Sequence, residues 1–272
     1  MAWIDIHCHV LPAIDDGPES MDDSVAMARA AAEDGTGVIV ATPHQRDVML
    51  NASVEKVREL AADLDARMQR ETTQGVPRVR ILVGMENHIE PDLPDWVDQG
   101  IALPINGTRL ILAEPPFTAY PRYVGEVLAR LQMKRLIPVL AHPERNAEFQ
   151  RHPGKLKELV ERGMLVQVSA GSFTGAFGST ARRAAVTLMR RRLVHVVASD
   201  MHRVRGPRSP QLGAAFRRVA RLAGERQARL LFETNPALIL EGHVPEEYSV
   251  AGDDRRRWWI PRLPAIIRRS SS

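Results

Sequence analysis

Short runs of apolar, mostly β-branched residues recur seven times along the chain, and amphipathic segments of helical spacing separate them. The runs cover residues 3–6, 37–41, 79–84, 109–113, 137–141, 165–169 and 194–198. Strand-like runs that alternate with helical segments are typical of parallel strands joined by helical crossovers. The pattern therefore predicts an α/β fold built around seven parallel strands.

The segments between these runs carry the signals of amphipathic helices. The first begins at Ser20, a preferred N-cap residue with an acid three positions later, and ends at Gly35, a preferred C′ residue. Further helices are expected over residues 53–70, 121–134, 154–162, 179–192 and 211–232. Because no linker or low-complexity segment interrupts this pattern, we expect one domain over residues 1–245 and a separate basic tail over residues 246–272.

Six of the seven predicted strands end in a histidine or a carboxylate. Together with a carboxylate in the loop after the first strand, these strand-end residues are His7, His9, Asp16, His44, Glu86, Glu114, His142, Asp200 and His202. Because the carboxyl ends of parallel strands meet at one face of an α/β barrel, we expect these side chains to converge. His7 and His9 are two residues apart, so on an extended backbone both imidazoles point to the same side.

This set has the chemistry of a divalent metal centre. Five imidazoles and four carboxylates are too many for one ion, and they suit a cluster of two or three ions in which Glu86 is the natural bridge. Nitrogen and oxygen ligands without sulfur are compatible with manganese, iron or zinc. Cys8 alternates with the two histidines, so we expect it to face the protein core.

The other polar residues near these motifs are weaker candidates. Asp15 is expected to cap the loop after the first strand. Four histidines do not end a predicted strand and are not expected at the site; they are His88, His152, His195 and His243. His195 lies within a predicted strand, which favours a hydrogen-bonded core residue.

Composition limits the classes of function. Apolar residues make up 44% of the 272 residues and charged residues 26%, which is typical of a soluble globular protein. The single cysteine excludes an internal disulfide, and a first candidate ligand at His7 leaves no room for a signal peptide, so we expect a cytoplasmic protein. The formal net charge of +4 is spread along the chain and aromatic residues make up 5%, which argues against a nucleic-acid-binding protein.

Seven motifs follow one another along the chain: DIHCH, IDDGP, ATPH, GMEN, LAEPPF, LAHPER and VASDMH. Together they resemble the manganese-dependent protein-tyrosine phosphatases of bacterial capsule and exopolysaccharide gene clusters. These are the CpsB/CapC type of the polymerase and histidinol phosphatase (PHP) superfamily. The resemblance covers residues 3–240 and implies a distorted (β/α)7 barrel that holds three metal ions.

The resemblance also implies which residues hold each ion. The first ion would be held by His7, His9, Glu86 and Asp200, the second by Glu86, Glu114 and His142, and the third by Asp16, His44 and His202. It implies Mn²⁺ as the metal, although Fe and Zn are compatible with the same ligand types.

One arginine is implied as a phosphate ligand in the loop after the fifth predicted strand. Arg145 follows His142 by three residues. A guanidinium group suits the oxygens of a phosphoryl group and can stabilise charge in the transition state. The alternative is an ordinary loop arginine that pairs with Glu144 or Glu148.

A second arginine is implied in the loop that follows His202. The family pattern there is Gly-Arg-Pro-Pro-like, whereas residues 206–210 of this chain read Gly-Pro-Arg-Ser-Pro and are one residue longer. Arg208 is therefore the expected match, with Arg203 and Arg205 as alternatives.

A cysteine-based phosphatase mechanism is excluded, because it requires an arginine six residues after the cysteine and residue 14 is isoleucine. The resemblance instead implies hydrolysis of phosphotyrosine by a metal-activated hydroxide, with His142 or an arginine assisting departure of the leaving group. The implied substrate is a phosphotyrosine protein, such as a bacterial tyrosine kinase of polysaccharide synthesis. The alternatives are a small phosphomonoester such as histidinol phosphate as the substrate and, less favoured, a nucleic-acid-processing PHP domain or a basic binding module.

The tail over residues 246–272 is basic, and arginines precede its adjacent tryptophans, Trp258 and Trp259. Such a segment can contact an anionic membrane surface. The alternative is that the tryptophans pack against the barrel or a second subunit. We favour this alternative because Pro261 and Pro264 prevent one continuous amphipathic helix. The sequence leaves the oligomeric state open.

Overall fold

Eight strands form in the computed structural model, which describes residues 2–73 and 75–245. They are Trp3–Cys8 (β1), Thr36–Ala41 (β2), Arg80–Val83 (β3), Asn87–His88 (β4), Leu110–Glu114 (β5), Ile137–Ala141 (β6), Leu165–Ser169 (β7) and Val196–Ala198 (β8). Each of the seven predicted runs forms a strand. The short strand β4 was not predicted, because its two residues carry no apolar run. The predicted tail over residues 246–272 lies outside the described residues.

Helices connect the strands. They are Met21–Glu33 (α1), Gln45–Asn51 (α2), Val54–Thr72 (α3), Leu93–Asp98 (α4), Arg122–Met133 (α5), Ala147–Arg151 (α6), Pro153–Glu161 (α7), Ala170–Thr174 (α8), Gly178–Arg190 (α9), Leu212–Ala223 (α10), Glu225–Arg229 (α11) and Asn235–Leu240 (α12). The single helix predicted over residues 211–232 is wrong, because Gly224 adopts a φ of 89° and ends α10. No helix of the described part of the chain is both long enough and apolar enough to cross a membrane.

The ends of α1 follow the signals read from the sequence. The Ser20 side chain accepts a hydrogen bond from the backbone N–H of Asp23 at 3.2 Å, as an N-cap residue does. Gly35 follows the helix with a φ of 104°, a conformation that favours glycine. The prediction for this helix is therefore confirmed.

The strands pair in parallel within two sheets, in the orders β1-β2-β3 and β4-β5-β6-β7-β8. Two isolated parallel bridges link the sheets, one between Cys8 and Met201 and one between His44 and Glu86. The predicted α/β class with parallel strands is confirmed. A continuously paired closed sheet does not form among the described residues, because only these two single bridges connect the sheets.

One apolar cluster draws on the strands of both sheets. Its buried members from the strands are Ile6, Val40, Leu110, Leu112, Val139, Ala141, Leu165, Val196 and Ala198. Alternate residues of a strand point to opposite faces, so this cluster is the common interior and the remaining strand residues pack against the helices. The polar strand-end residues lie beyond the carboxyl ends of these strands, at one end of the interior.

Candidate metal centre

The chain makes sharp turns where two of the strand-end residues enter the site. His142 follows β6 with a φ of 32°, and Asp200 lies just beyond β8 with a φ of 54°. A residue with a side chain rarely adopts this left-handed conformation, which costs about 1–3 kcal/mol. The rest of the fold holds both residues in it, and strain of this kind is characteristic of functional sites.

Hydrogen bonds orient the first two histidines so that their free nitrogens face each other. His7 Nδ1 lies 2.9 Å from Gln167 Oε1, and His9 Nδ1 lies 2.7 Å from Asp15 Oδ2. Because both Nδ1 atoms donate to oxygen, each Nε2 atom presents a lone pair. The two Nε2 atoms are 3.2 Å apart, and each is 3.2 Å from Glu86 Oε2. Three electron-pair donors directed at one point form a suitable site for a cation.

Glu86 is the centre of the cluster. Its Oε2 atom is 3.0 Å from His44 Nδ1, besides the two contacts just described, and its Oε1 atom is 2.8 Å from His142 Nε2. The carboxylate is 1% exposed, and Oε2 has no hydrogen-bond partner. Burial raises the pKa of Glu86, but the electrostatic attraction of the nearby His7 and His142 rings and the hydrogen bond with His142 outweigh it and hold that pKa well below the usual range. A buried carboxylate that faces four imidazoles would suit a ligand shared between ions.

A second group lies on the side of His9 that faces the loop after β1. Ligand atoms of His9, Asp16, His44 and His202 all lie within 4.8 Å of one another. His202 Nε2 is 3.0 Å from Asp16 Oδ1, and the His9 and His202 rings stack with centroids 3.8 Å apart. Burial lowers the pKa of His202 to about 4, so its imidazole is neutral and able to bind a cation.

Glu114 lies on the opposite side of the cluster with a partner that was not predicted. Its Oε1 atom is 3.7 Å from His142 Nε2, and its Oε2 atom is 2.9 Å from His88 Nε2. His88 was expected to lie away from the site, and that expectation is wrong, because ligand atoms of His44, His88 and Glu114 form a further close group. His88 follows Glu86 by two residues, the spacing that places His7 and His9 together, so the sequence does carry a signal for its position.

The donor atoms of these groups suit divalent cations. They offer only nitrogen and oxygen donors, and all members except Asp16, His44 and His88 are buried. Glu86 Oε2 and His44 Nδ1 have no hydrogen-bond partner. The structure brings all nine strand-end residues together in close groups. These groups share more members with one another than do the three ligand sets that the family resemblance implies. His9, for example, groups with His7 and Asp200 and also with the residues around Asp16. Cys8 packs in the core, as predicted.

Arg145 reaches the site from the loop after β6. Its Nη1 atom donates to Asp200 Oδ2 at 2.5 Å, and its guanidinium carbon lies 5.0 Å from the Phe117 ring centroid and 4.5 Å from that of Phe177. Aromatic faces attract a guanidinium group, so the two rings and the carboxylate hold the side chain in place.

Glu144 and Glu148, the alternative partners considered for this arginine, are engaged elsewhere. Glu144 Oε1 accepts hydrogen bonds from the Ser169 N–H at 3.1 Å and the Ser172 hydroxyl at 2.6 Å. The Glu148 carboxylate pairs with Lys155. Arg145 therefore does not pair with Glu144 or Glu148, and its observed partner is Asp200.

Among the three arginines considered after β8, Arg208 is the one whose side chain contacts the cluster. Its Nη1 atom donates to Asp16 Oδ2 at 2.7 Å, and its Nη2 atom donates to Asp200 Oδ1 at 3.3 Å and also contacts His202 Nε2. Arg203 and Arg205 are exposed and form no ion pair with the described residues. Asp200 therefore contacts two arginines, one through each carboxylate oxygen.

The remaining histidines have other environments. His195 Nδ1 accepts a hydrogen bond from the Val166 N–H at 3.1 Å, and burial lowers the His195 pKa to about 4. The expected hydrogen bond of this histidine is confirmed, although His195 is half-buried and lies just before β8 and not within it. His152 and His243 are exposed.

Two residues that orient the histidines were not predicted for that role. Asp15 Oδ1 accepts from the Gly17 N–H at 3.0 Å, which is the expected loop cap, but its Oδ2 atom also accepts from His9 Nδ1 and from the His44 N–H at 3.0 Å. Gln167 Oε1 is the acceptor for His7 Nδ1 and for the His142 N–H at 3.2 Å. These contacts join distant parts of the chain, so no local sequence motif predicts them.

Replacing Asp15 by alanine is expected to weaken metal binding about ten- to a hundredfold, because loss of a hydrogen-bonding partner frees the ring of a ligating histidine. Competition with a chelator of known affinity measures the change. Asp22→Ala is the matched control, since it removes an exposed carboxylate of α1 that pairs with Arg67 on the surface. Equal affinities for Asp15→Ala and the wild-type protein would contradict the orienting role.

The sequence profile of the family described as capsular polysaccharide synthesis, CpsB/CapC, matches residues 3–241. The chain therefore belongs to the CpsB/CapC family. Among its relatives is tyrosine-protein phosphatase YwqE of Bacillus subtilis, 41% identical over 202 residues that cover 74% of this chain and 78% of that protein. Tyrosine-protein phosphatase CpsB of Streptococcus pneumoniae is 30% identical over 243 residues, 87% of this chain and 98% of that protein.

A solved structure agrees with this assignment. It comes from a study of YwqE from Bacillus subtilis and CpsB from Streptococcus pneumoniae, described there as unique metal-dependent tyrosine phosphatases. It superposes with a TM-score of 0.84 at 36% sequence identity and covers 90% of this chain and 97% of that one.

Proposed function

We propose that this chain is a metal-dependent protein-tyrosine phosphatase that acts in the synthesis of a capsular or exported polysaccharide. The observation that carries the proposal is the cluster of nitrogen and oxygen ligands centred on Glu86, with Arg145 and Arg208 beside it. Ligands for cations next to guanidinium groups suit a phosphoryl group, whose oxygens bind both. The family and the named activity of its relatives agree with this chemistry.

We further propose that the two sheets are parts of one distorted (β/α)7 barrel of the PHP type, spanning residues 1–245. The interior shared by strands of both sheets, the two bridges that link the sheets and the superposition on the YwqE and CpsB structures support this arrangement. In such a barrel the site occupies the carboxyl ends of the strands.

The nine strand-end residues would hold two or three divalent ions, with Glu86 shared between them. Manganese is proposed from the family resemblance, and iron or zinc would suit the same ligands. When bound, such ions supply an activated water for attack on phosphorus and neutralise the phosphoryl oxygens. The orienting bonds from Asp15 and Gln167 keep the His7 and His9 lone pairs directed at the same point.

The side chains around this cluster have separate tasks. Arg145 and Arg208 would bind the phosphoryl oxygens and stabilise the charge that develops there. His142 or one of these arginines would also assist departure of the leaving oxygen of the substrate. Because a phenolate leaves more readily than an alkoxide, a tyrosine ester needs less help from a general acid.

The single cysteine has no role in this chemistry. Cys8 is fully buried, and burial raises the pKa of its thiol well above the ordinary value. A protonated and inaccessible thiol cannot act as a nucleophile. This agrees with the absence of the arginine that a cysteine-based phosphatase requires six residues later.

The proposed partner is a phosphotyrosine protein, most directly a bacterial tyrosine kinase of polysaccharide synthesis. The test compares three substrates after reconstitution of the full chain with Mn²⁺: a phosphotyrosine peptide, the matched phosphoserine peptide and histidinol phosphate. We expect the phosphotyrosine peptide to have the highest kcat/KM, chelation to abolish turnover, and treatment with iodoacetamide to leave it unchanged. A preference for histidinol phosphate would assign the chain to small-molecule hydrolysis, and inactivation by iodoacetamide with metals retained would contradict the mechanism.

A further inference from the structure

A cavity of about 300 Å³ opens beside the ligand cluster, and its walls are of two kinds. The polar wall includes His44, His88 and Glu114. The apolar wall is formed by Ile89, Pro115, Pro116, Phe117 and Tyr123. One cavity therefore joins the groups proposed to act on a phosphoryl group to a surface that suits a hydrocarbon ring. Its volume is sufficient for a phenyl ring and a phosphoryl group together.

Phe117 is the most exposed member of the apolar wall. Its residue surface is 42% exposed, and among the described residues it belongs to none of the apolar core clusters. The ring lies nearly parallel to the His142 ring, with centroids 5.4 Å apart and an interplanar angle of 7°. The Arg145 guanidinium lies 5.0 Å from its centroid. An exposed aromatic ring is thus in contact with two residues of the proposed catalytic machinery.

The segment that carries this ring is held firmly. Pro115 and Pro116 fix two backbone φ angles before the ring. The Phe117 carbonyl accepts a hydrogen bond from the Ala147 N–H at 2.9 Å, and the Pro116 carbonyl accepts one from Asn146 Nδ2. Asn146 follows the phosphate-binding candidate Arg145 directly, so the apolar wall and the strand-end loop after β6 are tied together.

We infer that Phe117 and Tyr123, with the Pro115–Pro116 segment, form the subsite for the aromatic ring of the substrate, an inference that rests on the proposed function. A phosphoryl group at the ligand cluster places the phenyl ring of an aryl ester against this wall. The short methylene of a serine ester does not reach it. Since the wall contacts only the substrate that carries a ring, it confers a preference for aryl over alkyl phosphate esters.

The test uses the metal-reconstituted full chain and its Phe117→Ala and Tyr123→Ala variants. We expect the ratio of kcat/KM for the phosphotyrosine peptide to that for the matched phosphoserine peptide to fall roughly ten- to a hundredfold in Phe117→Ala, as loss of an apolar pocket contact does. Phe117→Tyr retains the ring and should recover most of the ratio. Met133→Ala is the control, because Met133 is 84% exposed at the far end of α5 and should leave the ratio unchanged.

A binding measurement separates this inference from the proposed function. By calorimetry we expect the wild-type protein to bind phenylphosphonate at least about tenfold more tightly than methylphosphonate, and Phe117→Ala to lose that difference. Equal affinities in the wild-type protein, or equal losses on both peptides in Phe117→Ala, would overturn the ring subsite even if phosphotyrosine turnover is normal.

A change in the oligomeric state of Phe117→Ala, measured by light scattering, with an unchanged ratio of kcat/KM values would assign the exposed ring to a subunit contact instead. Failure of the wild-type protein to hydrolyse any phosphotyrosine peptide would count against the proposed function and not against the ring subsite.

Discussion

Glu86→Ala is expected to lose more than one equivalent of bound metal and, with it, phosphatase turnover on every substrate. The reason is the central position of this carboxylate, whose two oxygens lie 2.8–3.2 Å from nitrogens of four histidines. Deleting a ligand that is shared between ions removes one donor from the coordination sphere of each ion. The remaining imidazoles then face one another without an anion between them. Elemental analysis of the purified variant gives the metal content directly.

Two further variants make this prediction specific. His44→Ala deletes a residue implied at one ion and should lose mainly one equivalent. Glu71→Ala removes a carboxylate that pairs with Arg29 on the surface and should lose none. Glu86→Gln keeps the shape of the side chain and guards against an effect of misfolding, which circular dichroism would detect. Equal single-equivalent losses in Glu86→Ala and His44→Ala would show that Glu86 does not bridge.

Arg145→Ala is expected to retain its fold and full metal content and to lose roughly a hundred- to a thousandfold in turnover. Removing one charged donor from a transition-state site typically costs about 3–4 kcal/mol. Arg145 is no ligand: its guanidinium reaches the cluster through Asp200 and is held between the Phe117 and Phe177 rings. Steady-state kinetics at saturating phosphotyrosine peptide, with metal analysis of the same sample, measure both quantities.

The lysine variant tests why an arginine is needed. Arg145→Lys keeps the charge but lacks the planar guanidinium that fits between two rings and donates to two oxygens, so it should recover only part of the lost turnover. Arg151→Ala, a change at an exposed arginine of α6, is the control. Near-normal turnover of Arg145→Ala would limit this residue to positioning of substrate. Loss of metals from that variant would show that the loop after β6 supports the ligands themselves.

Much of the site can be predicted from two general rules of strand geometry. The alternation of an extended strand places His7 and His9 on one side, and the shared orientation of parallel strands places residues as distant as Glu114 and Asp200 at one end of the interior. Both rules need only the strand assignment, which the apolar runs supply.

The parts that were not predicted depend on contacts across the chain. Gln167 meets a histidine 160 residues earlier, and no pattern near either residue reports the pair. The position of His88 at the site was not predicted because its strand is two residues long and lacks an apolar run. The choice of Arg208 over its neighbours required the loop geometry, since three arginines lie within six residues of one another.

The joining of β1 to the end of β8 determines when the protein can become functional during its synthesis. The His9 N–H donates to the Met201 carbonyl and the Asp200 N–H to the His7 carbonyl, both at 2.9 Å, so residues from the two ends of the domain complete each other. A nascent chain that has emerged from the ribosome only as far as β7 lacks Asp200 and His202, and its first strand has an unpaired edge. The complete set of strand-end residues is therefore present only after nearly the whole domain has been translated.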